Sequence, residues 1–228
     1  MGNVIASVLA PLTLVLPAAL SRFYDEERLT EVKTILRYSL RYFLMLMIPV
    51  AFGISLLSKS LLTVISTSEI ASNGYFITPF IALSALLFGV YGIVGQVLFV
   101  VKKLSIAGAV WAVAAVLNLG LNLVLVPKFG IVAAAMTTLA AYGFAFAVVT
   151  YFSLIYIKVD IDVKSMLKSI AASLVMSVCI VLLMPVGLIN ILAVVALSAV
   201  IYFVALAGMK GVTRQEVELL LNLFRKPS

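Results

Sequence analysis

A chain of 228 residues has the length of one or two soluble domains, but 64% of its residues are hydrophobic and only 11% are charged. Because soluble domains are roughly 45–50% apolar, this composition predicts a membrane protein. The formal charge of +7 does not indicate a nucleic-acid-binding protein, since the basic residues lie between the apolar runs and do not cluster on a soluble face.

The content of cysteine and histidine excludes several kinds of site. One cysteine, Cys179, lies inside an apolar run, and the chain contains no histidine. The sequence therefore offers no disulfide framework and lacks both the commonest general base and the commonest metal ligand. We expect no metal site and no organic cofactor.

Seven apolar runs are each about as long as a membrane span, which needs about 20 residues. The first, over about 4–20, is predicted as a span rather than a signal peptide, because no basic residue precedes it. An amphipathic stretch at 22–41 then predicts an interfacial helix that leads into the second span. The predicted spans cover about 4–20, 38–58, 75–101, 105–126, 131–157, 167–186 and 188–209.

The fourth and fifth spans are separated by only four residues, Pro127 to Gly130. Proline and glycine both favour a turn, and both flanking helices are apolar on every side. The sequence predicts a tight hairpin here, buried in lipid or in protein. In the third span, Gly89, Gly92 and Gly95 are three residues apart and predict close helix approach.

Three regions follow from this division. Residues 1–157 form a bundle of five spans, and residues 158–209 add two transmembrane helices, the first with Asp162 as a plausible N-cap. Residues 210–228 form a short cytoplasmic interfacial helix, since Thr213 and Glu216 have capping-box spacing.

The distribution of basic residues predicts the orientation. Fourteen of the sixteen lysines and arginines follow the first, third, fifth and seventh spans, and only Lys59 and Lys128 follow the others. The positive-inside rule therefore places the N-terminus outside and the C-terminus in the cytoplasm of a multi-pass protein of the cell membrane.

The hairpin resembles a motif of the polysaccharide-biosynthesis flippases, which belong to the multidrug/oligosaccharidyl-lipid/polysaccharide exporter superfamily. Members commonly show asparagines before a Pro-x-x-Gly turn and a small-residue helix after it. Leu16 to Leu29 and Pro49 are also similar to family segments, and Ala133 stands where glycine is usual. The matching residues are Asn118, Asn122, Pro127, Gly130, Ala134, Ala135 and Thr138.

This resemblance covers most of residues 4–157 and carries several expectations. The fold would be an all-α integral membrane bundle of about seven transmembrane helices, resembling the C-terminal bundle of such a flippase plus two extra helices. An N-terminal half or partner chain would supply the remaining spans. The substrate would be a polyprenyl-linked oligosaccharide, moved across the cytoplasmic membrane for cell-surface polysaccharide synthesis by alternating access of two bundles.

Five residues are candidate substrate contacts. Arg37 and Arg41 share a helix face and either bind a pyrophosphate or act only as topology anchors. Asn118 and Asn122 are four apart and either line a polar cavity or clamp two helices together. Gln96 is polar within a span and is ambiguous in the same way.

Two alternative functions remain open from the residues alone. A buried acidic residue within a span would favour a drug or cation antiporter of the same superfamily. All nine acidic residues, however, lie outside the predicted spans. A membrane-embedded glycosyltransferase or acyltransferase would need an acid or a histidine with a partner at the membrane boundary. Because no catalytic constellation is visible, we do not expect an enzyme.

Overall fold

The computed structural model of the protein describes residues 16–65 and 74–211. Most of the predicted first span lies outside these residues. The predicted tail helix also lies outside them, apart from residues 210 and 211. Helical residues 16–25 form α1. The further helices are α2 (Leu29–Leu56), α3 (Ser58–Ile65), α4 (Thr78–Val94), α5 (Gln96–Val100), α6 (Leu104–Tyr156), α7 (Val163–Leu183) and α8 (Leu188–Gly208).

Five helical segments of the described chain are long and apolar enough to cross a membrane. They are α2, α4 together with α5, α6, α7 and α8. Many large apolar side chains of these helices remain exposed, among them Val116, Leu123 and Ile189. Lipid is the environment that stabilises such helices, so the all-helical membrane class predicted from the sequence is confirmed.

Helix α6 consists of two arms, α6a (104–129) and α6b (131–156), which meet at Gly130. The backbone of Gly130 has φ 63° and ψ −149°, a conformation that is essentially restricted to glycine. Pro127 lies inside α6a, and only Gly130 leaves the helical conformation. The prediction of a four-residue turn from Pro127 to Gly130 was therefore wrong, because the turn is shorter. Proline removes only one helical hydrogen bond, which a membrane helix tolerates, whereas the reversal needs the positive φ.

Helix α2 also differs from the sequence-based expectation. It runs without a break from Leu29 to Leu56, with Pro49 inside it, so the part of the amphipathic stretch after Arg28 and the predicted second span belong to one helix. The chain changes direction earlier, at Glu27, whose φ is 59°. One continuous helix extends the apolar face that begins at Val32 and Leu36, both of which are buried.

Three helices end in the same unusual way. A charged residue takes the left-handed conformation after α1, α5 and α8, where glycine is the usual choice. In each case the next N–H donates to a carbonyl five residues earlier, as in a Schellman motif. The left-handed residues are Glu27, Lys102 and Lys210, and the bonds run from Arg28 to Phe23, from Lys103 to Leu98 and from Gly211 to Leu206.

The packing is centred on α2 and α4. Helix α2 packs against α4 and α7, α4 packs against α6, and α7 packs against α8. One buried cluster joins α1, α2, α4 and α5, a second joins α2, α7 and α8, and a third joins α5 to both arms of α6. The two additional helices therefore dock on the bundle through α2.

Tyr202 marks this docking site. Its hydroxyl donates to the Met45 carbonyl of α2 (2.5 Å) and lies 2.8 Å from the Ser169 hydroxyl of α7. A hydroxyl has one proton, so Ser169 is the donor to Tyr202. Because Tyr202 is fully buried, this pair of hydrogen bonds fixes the relative positions of three helices.

Small buried residues recur at every fourth position of α6b. This spacing keeps them on one face, where they allow neighbouring helices to approach closely. Near the end of the row, the Ser153 hydroxyl donates to the Val94 carbonyl of α4 (3.1 Å). The row consists of Ala133, Thr137, Ala141, Ala145, Val149 and Ser153.

Candidate functional site

The two arms of α6 are joined by polar side chains inside apolar helices. The amide nitrogen of Asn122 donates to the Asn118 oxygen (2.9 Å), and the Thr137 hydroxyl reaches the Asn122 oxygen (2.7 Å). The turn at Gly130 makes this possible, because it brings the α6b segment after it back alongside α6a. The contacts favour the interhelical clamp over the cavity-lining alternative for Asn122.

Gln96 lies next to the break between α4 and α5. Its amide nitrogen donates to the Gly92 carbonyl within the same segment (3.1 Å), and the side chain is half-buried. The break occurs at Gly95, which retains helical φ and ψ of −62° and −19°. The Gln96 oxygen does not take part in this bond, so it keeps acceptor capacity for a further donor.

An aromatic cluster lies between α4 and α6. It consists of Phe88, Tyr91, Trp111 and Tyr142, and their ring centroids lie 5.3 to 6.2 Å apart in five contacting pairs. The Trp111 ring nitrogen donates to the Tyr91 hydroxyl (2.6 Å). This hydrogen bond joins α6a to α4.

The aromatic cluster borders an open groove between α4 and α6b of about 510 Å³. Phe88 and Tyr142 belong to both, and Ser84 and Thr138 add hydroxyl groups to the apolar wall. Both hydroxyls donate within their own helices, to Phe80 and Ala134, and their oxygens remain potential acceptors. The groove combines aromatic faces with a few hydrogen-bonding atoms.

Arg37 and Arg41 lie at the other candidate position, near the beginning of α2. Arg37 is exposed, whereas the side chain of Arg41 is only 11% exposed. Arg41 forms an ion pair with Asp162 (Nε to Oδ2, 3.6 Å) and donates to the Gly211 carbonyl (2.8 Å). These contacts give Arg41 a role in joining α2 to the start of α7 and the end of α8.

Asp162 precedes α7 and caps it. Its carboxylate accepts from the Ser165 backbone N–H (3.1 Å) and from the Ser165 hydroxyl (2.7 Å). The Ser165 hydroxyl, together with the nearby charges of Arg41 and Arg37, lowers the pKa of Asp162 below its ordinary value of 3.8. These contacts therefore stabilise the fold above that pH and lose their contribution as the pH falls through the lowered pKa.

The structure brings some of the candidate residues together and separates others. Asn118 and Asn122 share one hydrogen-bonded chain on α6a, whereas Arg37 and Arg41 lie in a separate region with Asp162. No motif in the sequence pointed to the aromatic cluster. The single tryptophan inside an apolar run was the available signal, but its partners come from other helices.

The described side chains of these regions offer contacts for a ligand. In residues 16–65 and 74–211, no group of three or more histidine, cysteine, aspartate or glutamate side chains is placed to hold a metal ion. The side chains that are present offer hydrogen bonds, aromatic faces and positive charge. These are the groups that bind a polar, anionic or sugar-containing ligand.

Fold and site together define a class, that of all-helical, multi-span membrane proteins with binding groups inside the helical bundle. Within this class, the structure matches the lipid II flippase MurJ in its inward closed conformation, with a TM-score of 0.69 and 19% sequence identity. The match covers 84% of this chain and 41% of MurJ. It establishes that the two proteins share a fold.

The sequence is also similar to a curated protein. It is 27% identical over 144 residues to the probable low-salt glycan biosynthesis flippase Agl15 of Haloferax volcanii, covering 63% of this chain and 29% of Agl15. No protein-family model matches the chain. The chain is distantly homologous to a flippase of glycan biosynthesis, so the resemblance drawn from its motifs is confirmed at that level.

The chain spans less than half the length of either protein it matches. Both of these proteins are named as flippases and neither as an enzyme. The chain therefore shares part of its sequence with one protein named as a flippase and its fold with another.

Proposed function

We propose that the chain is part of a flippase that moves a polyprenyl-linked oligosaccharide across the cytoplasmic membrane for cell-surface polysaccharide synthesis. The observation that carries the proposal is the similarity to Agl15, which is named as a glycan biosynthesis flippase, together with the fold shared with the lipid II flippase. Further spans, in the same polypeptide or in a partner chain, complete the transporter. Rocking of two bundles exposes the binding region alternately to the two sides.

The polar and aromatic groups of α4 and α6 suit the sugar part of such a substrate. Gln96 retains acceptor capacity, and the Asn118 amide nitrogen, which takes no part in the bond to Asn122, can act as a donor. Trp111 and Tyr142 add flat, amphipathic surfaces nearby. A sugar needs many weak hydrogen bonds and apolar contacts, and few charges.

The lipid part of the substrate needs an apolar surface. A groove of about 360 Å³ between α2, α3, α7 and α8 is lined almost entirely by apolar side chains, including Pro49, Met176 and Phe203. A polyprenyl chain in this groove would remain in contact with the hydrocarbon region of the membrane. The headgroup would then cross between bundles while the tail stays in lipid.

The two arginines remain proposed contacts of the pyrophosphate that links sugar and lipid. Arg41 already contacts Asp162 and Gly211, so the exposed Arg37 is the better placed of the two. Replacing Arg41 would also disturb the junction of α2 with α7. Arg37→Gln is therefore the more informative variant.

The test is a translocation assay in liposomes that contain the chain and the polypeptide that completes its transporter. A fluorescent lipid-linked oligosaccharide should move between leaflets in the presence of the wild-type protein. Gln96→Leu should slow this movement about two- to tenfold, the effect of losing one hydrogen bond. Ser177→Ala is the matched control, because Ser177 donates only within α7, to the Ser173 carbonyl.

Two outcomes would contradict the proposal. Chemical conversion of the sugar lipid without movement between leaflets would indicate a membrane enzyme. Transport of a drug cation against an ion gradient, with no movement of the sugar lipid, would indicate an antiporter. Equal rates for Gln96→Leu and wild type would remove Gln96 from the binding site and leave the flippase function intact.

A further inference from the structure

Five cations lie where α2, α7 and the end of α8 meet, and one of them, Arg41, pairs with an acid. We call this group the basic junction: Arg37, Arg41, Lys164, Lys168 and Lys210, with Asp162 as the acid. Arg41 and Lys168 both reach the end of α8. Arg41 donates to the Gly211 carbonyl (2.8 Å), and Lys168 donates to the Lys210 carbonyl (2.9 Å).

These two hydrogen bonds explain how the junction is held together. The end of a helix carries partial negative charge on its last carbonyls, and cations stabilise it. Lys210 also takes the left-handed conformation, with φ 51°, which turns the carbonyls beyond α8 away from the helix. The end of α8 is thus tied to α2 by one cation and to α7 by another.

The positive charge of the junction exceeds what its own acid balances. Asp162 accepts both hydrogen bonds from Ser165 and pairs with Arg41, so its charge is already engaged. Arg37 lies one helical turn before Arg41 in α2 and therefore on the same face of that helix. Arg37, Lys164 and Lys210 remain exposed.

The surroundings of the junction indicate its depth in the membrane. Tyr38 and Tyr42 follow the two arginines in the sequence, and their stacked rings lie 6.0 Å apart with 44% and 45% of their surface exposed. Exposed tyrosines next to basic residues are typical of the membrane–water boundary. The exposed cations therefore lie at the depth of lipid headgroups.

We propose that the basic junction binds the phosphate-bearing headgroup of an anionic phospholipid from the surrounding leaflet. Arg37 and Lys164 contact the phosphate, and Lys210 adds positive charge, while Arg41 and Lys168 hold the three helices in place. Arg37 is also the proposed contact of the substrate's pyrophosphate, so the two ligands would compete for one residue and a competition experiment separates them. An anionic lipid bound here would strengthen the contact of α7 and α8 with α2.

Native mass spectrometry of the full chain in nanodiscs can test the proposal. Nanodiscs of phosphatidylcholine with a minor fraction of phosphatidylglycerol should yield protein that retains phosphatidylglycerol selectively. The double variant Arg37→Gln, Lys164→Gln should weaken this retention about tenfold or more, since each surface cation contributes substantially to binding of anionic lipid. Raising the salt concentration should also weaken it.

The matched control is Lys102→Gln, Lys103→Gln, which removes the same charge from the exposed connector between α5 and α6a. It should retain phosphatidylglycerol like the wild type. Equal loss in both double variants would overturn the proposal in favour of a general charge effect. Equal retention of phosphatidylcholine and phosphatidylglycerol by the wild type would overturn it without any variant.

Two competitors distinguish the source of the phosphate. Soluble glycerol phosphate should not displace the lipid at the same concentration, because it lacks the acyl chains that hold the headgroup at the junction. Displacement by glycerol phosphate would identify a site for free phosphate instead. Displacement by a small amount of lipid-linked pyrophosphoryl sugar would assign the junction to the flippase substrate and would contradict our proposal.

Discussion

At the scale of single residues, the three glycines of the third predicted span behave differently. A methyl group at Gly89 would overlap the Phe43 ring of α2, whereas a methyl group at Gly92 would meet no atom within 4 Å. Gly95 lies at the break between α4 and α5. A methyl group at Gly95 would lie 2.8 Å from the Tyr91 carbonyl oxygen, which belongs to the same segment, so only Gly89 is too close to a neighbouring helix for a side chain.

Gly89→Ala should destabilise the protein by about 1–3 kcal/mol, the usual effect of overpacking a close contact. Phe43 is buried on the opposite helix and has little room to move. Unfolding in a mild detergent, followed by the loss of helical circular dichroism, would measure the change.

Gly92→Ala is the control for this prediction. It should be neutral or slightly stabilising, because alanine favours helix and finds open space at this position. If Gly89→Ala were as stable as Gly92→Ala, the packing of α2 on α4 would not depend on the absence of a side chain at Gly89.

At the scale of helices, the α6 hairpin is held by a reversal at one glycine and by a polar contact between its arms. Thr137 is buried and reaches Asn122 on the opposite arm (2.7 Å), and it also lies near the Ala134 carbonyl (2.9 Å). A hydroxyl has one proton to share between these two acceptors. The hydrogen bond to Asn122 is therefore weak, and the row of small residues along α6b adds close packing to it.

Asn122→Ala and Thr137→Ala should show a coupling energy of about 0.6 kcal/mol in a double-mutant cycle, the average for hydrogen bonds between membrane helices. The measurement is the unfolding free energy of both single variants and the double variant. Asn122→Ala combined with Ser173→Ala is the control, because Ser173 bonds within α7 and the two effects should add. Additive effects for Asn122 and Thr137 would show that the hairpin does not need the clamp.

At the scale of the whole molecule, the orientation in the membrane stays a prediction. Three of the left-handed helix ends carry Glu27, Lys102 and Lys210, and each lies in a connector that the distribution of basic residues assigns to the cytoplasm. The same distribution of basic residues places the turn between α7 and α8, at Val186 and Gly187, on the outer side of the membrane. The two sides can therefore be labelled separately.

In a Cys179→Ala background, Val186→Cys should react with an impermeant maleimide in intact cells, whereas Lys164→Cys should react only after permeabilisation. Val186 is 78% exposed and Lys164 is also exposed, so both thiols would be accessible to the reagent on their own side. The positive-inside rule provides the physical reason. Labelling in the reverse order would overturn the orientation.

The sequence by itself determined the membrane class, the approximate positions of the apolar helices, the α6 hairpin and the resemblance to flippases. These properties depend on local hydropathy and on motifs that are close together in the chain, so one sequence suffices to identify them. The cap of α7 by Asp162 belongs to the same group, because its partner Ser165 is three residues away.

Only the tertiary structure decided which polar groups meet. The ion pair of Arg41 with Asp162, the contact of Arg41 with Gly211 and the aromatic cluster around Trp111 join residues that are far apart in the sequence. In a nearly uniform apolar chain, hydropathy does not distinguish a lipid-facing side of a helix from a packed one. The packed side is determined by how well the surfaces of two helices fit together. The fit of Gly89 against Phe43 is an example, and it exists only once the helices have packed.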